Sequence, residues 1–491
     1  MLRKLAATLL LAALAVAWSQ PAPTRAVIAQ GVDIETMDPT FASSTATWNV
    51  LHHVFEPLML RDADMNLQPV LALSWESVDE LTWEFKLREG VSFHSGAPFN
   101  AEAVKFTLER MFSPNVTTIH RAVRDIPLDH VEVVDDYTVR IVTKTPTVLM
   151  PHFLRTVLIL DPTVYGSNEP VIDRASGTGP YTFASWVRDS GVELRANADY
   201  WNGAPAIDQL LFRPIPENST RVAELLTGAV DLIVNVPPDD LPQIETARTR
   251  SLISQGGRDV FIGLRADKAP FDDVRVRQAV NYAVDRQAIN DAILGGYGEL
   301  YGSVVMPPNN APEVEPYPYD PERAKALLTE AGVPRGLEIT LQTPNGRYLK
   351  DVEAAQAVAA YLNQVGFNAK VEVLEWSVFS DAWLNKKTKE MFLLGLGGWF
   401  DGQGELTWLR DVTSNTGWIN EEFESGFQRL ATTFDLDERA ALIQDLDRLA
   451  FEEAPWLFLW RQPSLYGASN RLNWDPRRDE YIFLWGASID Q

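Results

Sequence analysis

The stretch from Leu394 to Trp408, LGLGGWFDGQGELTW, is the richest in chemistry of the 491-residue chain. Gly395, Gly397 and Gly398 let a backbone approach closely, Trp399 offers a flat aromatic face, and Asp401 and Glu405 offer negative charge. The plain alternative is a core tryptophan beside two solvated carboxylates. Arg347 follows the turn Asn345-Gly346, where a guanidinium can present its planar fork to a carboxylate. An arginine on a loop is otherwise a surface charge.

Catalytic constellations are missing. No GxSxG elbow, HExxH or Cys-His pair occurs, so an activated nucleophile has no candidate, and no catalytic residue is assigned. A carboxylate pair of the glycosidase kind stays open as a remote alternative, a secreted hydrolase, because carboxylate separation cannot be read from sequence. Asp62, Asp64 and Asn66 begin like a calcium loop, but Leu67 and Leu73 stand where the geometry needs glycine and a bidentate glutamate. Gly177-Thr178-Gly179 lacks the residues that complete a phosphate loop. The histidines are His52, His53, His94, His120, His130 and His152, all in the first third. His52 and His53 are adjacent, so on a helix they diverge by about 100° and cannot chelate together. Neither a metal nor a cofactor is expected.

Composition narrows the partners. Sixty-seven acidic against 43 basic residues leave a net charge of −24, which repels phosphate backbones, so nucleic acid is not expected. Residues 1–17 have the form of a secretory signal peptide: Arg3 and Lys4, an apolar run from Leu5 to Val16, then Ala15-Val16-Ala17 as cleavage site, with Ser19 as a second option. Cysteine is absent, which excludes disulfides, thiolate chemistry and lipid attachment at a cysteine. The length calls for two or three domains.

The elements that position these residues alternate in kind. Leu81, Trp83, Phe85 and Leu87 alternate with polar residues as in a half-buried strand, and Asn100 caps a helix with Val104 and Leu108 on its inner face. VEVVDDYTVRIV, residues 131–142, is a second ribbon turning at Asp135-Asp136. Apolar spacing predicts a helix over 45–60, and another runs from Arg221 to a stop near Gly228. Val260–Leu264 reads as a buried strand, Asp320-Pro321 opens a helix, and a helix over 351–365 precedes a strand at 369–374. This βα alternation indicates an α/β protein.

The ordered positions Pro69-Val70-Leu71-Ala72, Ser74-Trp75, Leu81-Thr82-Trp83, Phe85 to Arg88, Gly90-Val91, Phe93-His94, Gly96, Pro98 and Asn100-Ala101-Glu102, with the later GTGPYxFxSW and NxxYW patterns at 177–186 and 197–201, resemble bacterial extracellular solute-binding protein family 5. The resemblance covers about residue 26 to the end. It implies a two-lobed periplasmic-binding-protein type II fold with an extra third domain: domain I from 26–44, 166–265 and 465–491, a small β-rich domain II over 45–165, and domain III over 266–464. Crossing strands near 262–270 and 460–468 would join the lobes. It further implies a monomer, free in the periplasm, that serves the transmembrane subunits of an ABC permease without catalysing a reaction. The lack of cysteine excludes the lipoprotein form.

Peptide is the leading ligand class by this resemblance. Peptide-binding relatives pair an acidic residue of the 394–408 segment with the ligand's ammonium group, next to a tryptophan. Their aspartate falls three residues after that tryptophan, where this chain has Gly402, so either Asp401 or Glu405 takes the role; the placement of Glu405 is closer to the glutathione-binding branch. Arg347 would meet the ligand's carboxylate, and Ser43, Ser44 and Thr45 would face the cleft. Opine and oligosaccharide ligands are the alternatives within the family. A nickel chelate held by a histidine of the later lobe is disfavoured, because that lobe has none.

Overall fold

The computed structural model describes residues 23–42, 44–113, 116, 126–166, 171, 174–397, 401–410 and 415–490. The segment 1–17 read as a signal peptide, Ser43 and Trp399 lie outside them.

Three large apolar cores, with a smaller cluster around Ile215, Val222, Leu225 and Ile233, organise the described residues. The first gathers Ile28, Val50, Leu51, Phe55, Tyr181, Leu194, Leu210, Tyr466 and Leu484. The second gathers Leu58, Phe85, Val104, Leu108, Val139 and Ile141 under a four-stranded antiparallel sheet built from Ala72–Asp79, Thr82–Leu87, Thr138–Thr143 and Leu128–Asp135. The third gathers Val260, Phe261, Leu341, Val358, Leu393 and Phe458. The alternation seen in the sequence places Phe85 and Leu87 inward as expected. Glu84 is buried as well, because Arg140 and Lys86 pair with it at 2.9 and 2.8 Å.

The helix expected over 45–60 is Thr45–Val54, and Met59–Arg61 is already strand. Its apolar stripe packs into the first core, with Trp48, Val50, Leu51 and Val54 buried there. It stops ahead of Pro57, which cannot continue a helix, and its C-terminal end packs closely against the 177–179 loop. A Cβ on Gly177 would lie 2.1 Å from the Val54 carbonyl oxygen, and one on Gly179 would lie 2.6 Å from that of His53. Only glycine permits this approach. The two sequence patterns of this region are thereby one structure: Glu56, two residues past the helix end, accepts hydrogen bonds from Thr178 Oγ1 (2.8 Å), Tyr200 Oη (2.6 Å) and Trp201 Nε1 (2.9 Å). Burial drives the Glu56 carboxyl up to about 7, against the pull of those three donors and of Arg88.

A buried ion pair ties the N-terminal turn to the middle core. Asp38 caps the short turn Pro39–Phe41 through Thr40 N, and its carboxylate accepts from Arg110 Nη1 at 3.2 Å and Nη2 at 2.7 Å. Arg110 is in the last turn of helix Ala101–Met111, which Asn100 caps through Ala103 N as expected.

The long sheet runs through both large cores. Its order is Phe367–Leu374, Leu337–Pro344, Met391–Gly397, Thr249–Leu264, Trp456–Ser469, Leu232–Ile233, Arg25–Gln30, Gln209–Pro214, Gly191–Ala196 and Tyr181–Val187, with Glu299–Leu300 added on Trp456–Ser469. Leu337–Pro344 lies parallel to both its neighbours, as does Arg25–Gln30, which suits the βα connections read from the sequence. The strands Thr249–Leu264 and Trp456–Ser469 pair antiparallel with each other and pass from one core to the other. Their register breaks between Ser254 and Arg258, where Gly256 meets the Gln462 carbonyl too closely for any Cβ. The first crossing is therefore at 254–258, before the expected 262–270, because Val260–Leu264 is already interior to the third core. The break falls on the polar run Ser254-Gln255-Gly256-Gly257, which has no apolar side chain to bury in either core.

Candidate functional site

A cavity of about 190 Å³ opens where all three cores meet. Thr45 lines it from the first turn of the first-core helix, Arg61 from strand Met59–Arg61, Arg155 from just beyond helix Met150–Leu154, Gly257 and Arg258 from the crossing strand, Gly397 from the end of strand Met391–Gly397, and residues 478–481 from the C-terminal segment. The walls carry four guanidinium groups, Arg61, Arg155, Arg258 and Arg478, and two carboxylates, Asp479 and Glu480.

Both carboxylates are held. Glu480 accepts from Arg258 Nε at 3.3 Å and Nη2 at 3.0 Å, and Asp479 accepts from Arg477 Nε at 3.0 Å and Nη2 at 2.6 Å. Burial opposes ionisation of Glu480, but the Arg258 fork outweighs it and keeps the carboxyl below its ordinary value. Arg258 is held charged by the same partner. Arg61 is buried, and burial together with the neighbouring Arg155 pushes it down to about 9, against the attraction of Asp401, Glu405 and Asp479. Crowded guanidinium groups of this kind form a site for planar, bidentate acceptors.

The residues singled out from sequence fall in different places. Thr45 lines the cavity. Ser44, beside it, caps the helix by accepting from Thr47 N at 3.3 Å. Arg347 is exposed, its guanidinium lies 5.0 Å from the Trp376 ring centroid and 5.2 Å from that of Tyr348, and it is within electrostatic reach of Arg258 and Glu480. That places it at the cavity's edge.

Asp401 and Glu405 are buried at the start of the short helix Gln403–Thr407. Asp401 Oδ1 accepts from Gly404 N at 2.6 Å and Glu405 Oε2 from Gly402 N at 2.9 Å. They do not line the cavity, but both act on Arg61 from behind. Asp401 Oδ2 makes no hydrogen bond among the described residues, and His152 Nδ1 lies 3.9 Å from it. Burial lowers His152 to about 4, so at neutral pH it is uncharged, and its Nδ1 takes the Arg61 Nη2 hydrogen bond at 3.4 Å. Glu405→Ala is expected to cost about 1 kcal/mol of stability in urea unfolding, as a lost helix cap does, and Glu405→Gln, which keeps an acceptor, clearly less. Equal losses would place the weight on the charge facing Arg61.

His52 and His53 are packing groups, while the exposed His130 pairs with Asp129 and Glu132, and His120 lies outside the described residues. His52 lies against Tyr481 and Phe483, and His53 is enclosed by Tyr181, Phe212 and Trp485. Arg61, Arg155, Arg258 and residues 478–481 escape sequence reading because more than 400 residues separate the first from the last. The one local signal is the charged run Arg477-Arg478-Asp479-Glu480 near the end of an acidic chain.

Comparison with known proteins agrees with this architecture. The model of bacterial extracellular solute-binding proteins, family 5 (middle region) matches residues 66–417. The glutathione-binding protein GsiB of Pectobacterium atrosepticum is 31% identical over 476 residues, covering 91% of this chain and 90% of its own. Heme-binding protein A of Haemophilus influenzae is 31% identical over 462 residues, covering 85% and 82%. Among solved structures, HbpA2 from Haemophilus parasuis superposes with a TM-score of 0.84 at 26% identity, covering 95% of this chain and 100% of its own. DppA from Helicobacter pylori, in complex with the peptide STSA, shares the fold with a TM-score of 0.80 at 22% identity over 96% and 99%. With a family match across most of its length and relatives aligned nearly end to end, the chain belongs to the bacterial extracellular solute-binding proteins of family 5, the substrate-binding components of ABC importers.

Proposed function

We propose that this protein captures a peptide or similar small zwitterion by closing its lobes around the cavity and delivers it, chemically unchanged, to the transmembrane subunits of an ABC permease. The observation that carries the reading is the cavity itself: its walls come from elements of the three large cores beside the point where two strands cross, so a guest there touches all three units. Contacts made in both lobes favour the closed state by the difference in affinity between closed and open forms. The glutathione-binding relative and the peptide complex of DppA support the ligand class.

In this reading Thr45, with Ser43 and Ser44 next to it, forms the cleft's mouth, Arg347 meets a carboxylate, Trp399 stacks, and Asp401 or Glu405, from behind Arg61, balances an amine by its charge. The pieces move as three units, with the middle one beginning near residue 56, after the helix that packs in the first core. Residues 1–17 export the chain to the periplasm, where it works as a monomer without a cofactor. Among the described residues no helix is long and apolar enough to cross a membrane.

Thermal-shift screening of the purified chain with di- and tripeptides, glutathione, an opine, cello-oligosaccharides and hemin tests the assignment. A guest at a hundred times its dissociation constant adds about 2.7 kcal/mol. A peptide is expected to raise the melting temperature and to be recovered intact by mass spectrometry. A shift produced only by a sugar would end the peptide reading, and a cleaved guest would end the binding-protein reading.

A further inference from the structure

We propose that the turn at 62–66 is a latch: Met65 seats on Met306 and holds the middle unit shut against the third, beside the cavity. The inference rests on the lobe-closure reading and names a positioning residue for the closed form. In sequence the turn begins like a calcium loop, yet its polar groups are spent within the turn and its flanking strand. Asp62 Oδ1 accepts from Asp64 N at 3.0 Å and Asn66 N at 2.9 Å, and Asp62 Oδ2 accepts from Gln68 Nε2 at 2.7 Å. Strands Met59–Arg61 and Leu67–Pro69 pair on either side of it, and Arg61, just before the turn, lines the cavity. At the tip Ala63, Asp64 and Asn66 are exposed, whereas Met65 is only 6% exposed. Its φ of 70° is the left-handed conformation that suits glycine and costs a residue with a side chain. A methionine held there is supported by what its side chain touches.

What it touches belongs to another unit. Met65 and Met306 form a buried apolar pair separate from the larger clusters, and Met306 is fully buried. The stretch before Met306 is clamped to the third core. Buried Asp447 accepts from Ser303 Oγ at 2.6 Å and Val305 N at 3.3 Å, and buried Arg461 donates to the carbonyls of Ser303 at 3.2 Å and Val305 at 3.3 Å. A braced turn thus carries one methionine and a braced loop the other, so rotation of the units makes or breaks the contact as a whole. The unbranched, polarisable thioether suits surfaces that pack and part repeatedly. Two further contacts join the same two units. The Trp83 ring of the middle sheet lies 6.4 Å from that of Phe434, between helices Glu421–Thr432 and Leu436–Glu453, and His152 Nδ1 lies 3.9 Å from Asp401 Oδ2. Of these three contacts the methionine pair alone is buried on both sides. Its burial favours closure whichever guest is present.

The chain has no cysteine, so one spin label can be placed on each unit, through Val134→Cys in the middle one and Leu384→Cys in the third, both exposed positions. Pulsed electron-spin distance measurements on the full chain, without a guest and with Ala-Ala-Ala, glutathione or hemin, give the ratio of closed to open molecules. Met65→Gly, which the turn's conformation accepts, is expected to lower that ratio at least about fivefold. Met65→Gln, which would bury an amide, should lower it as much, and Met65→Leu should stay within about twofold of the natural residue. Circular dichroism checks the fold of each variant. A ratio that is the same in Met65→Gly as in the chain with Met65 overturns the latch and leaves lobe closure standing. A single distance in every sample, unmoved by guest or variant, overturns lobe closure and the latch with it.

Discussion

Asp38→Ala will lower the unfolding free energy by about 3–5 kcal/mol, the loss that follows when one partner of a buried ion pair is removed. Asp38 and Arg110 are both buried, and the Arg110 fork donates to the carboxylate at 3.2 and 2.7 Å. The same carboxylate caps the turn at Thr40 and accepts from Val171 N at 3.2 Å. Alanine leaves the guanidinium buried without its counter-charge and the two amides without an acceptor, while the pair's own Coulomb energy is largely spent on desolvation. The double variant D38A/R110M separates these contributions. Removing both charges should recover a substantial part of the loss but not the two amide bonds, and urea unfolding of all four species gives the coupling. A single-variant loss below about 1 kcal/mol, within the range of an exposed ion pair, would show that water reaches Arg110.

The second large effect is one of pH. His53 is fully buried, its Nδ1–H donates to the Asn49 carbonyl at 2.7 Å, and its Nε2 accepts from Leu484 N at 3.1 Å. Both ring nitrogens are therefore committed to the neutral form, and burial lowers the group from 6.5 to about 4 against the backbone bond to Asn49. With the folded value below the unfolded one, the unfolded chain binds more protons between pH 6.5 and 4. Stability from His53 is thus complete above about pH 6.5 and falls as pH drops toward 4, by roughly 2–3 kcal/mol. Glu56 and Asp259, each raised by burial to about 7, titrate in the opposite sense and mask this in the protein as a whole. The measurement is accordingly a difference. His53→Asn is less stable than the natural chain at pH 7, and the gap should narrow by roughly 2–3 kcal/mol at pH 4. A gap independent of pH would mean that His53 is not neutral and enclosed as described.

Much of the fold was legible because its signals are local. Asn100, Asp320 and Gly228 mark helix ends by chemistry that acts within a turn, and the structure places them there. The helix Asp351–Val365 has the bounds its apolar spacing predicts, and the ribbon turning at Asp135-Asp136 pairs as read. The errors fall where a distant segment intervenes. The first-core helix ends at Val54, ahead of Pro57 and against the 177–179 loop, and the strand crossing sits at 254–258, on a polar run just before the third core begins. In each a local signal and a distant contact act together.

The sequence by itself determined the family, the α/β class, the caps and turns, and the pattern that contains Gly177 and Gly179. Those are consequences of backbone conformation and period, which short stretches carry whole. Which charges share a cavity was decided by tertiary structure alone. Arg61, Arg155, Arg258 and Arg478 come from four separate parts of the chain, and they meet only because two strands cross there. Asp401 and Glu405, the acids that looked most exposed to a guest, were instead drawn to amides at the start of a helix. A buried carboxylate takes the nearest donors the fold provides, and folding, not spacing in sequence, sets which donors those are.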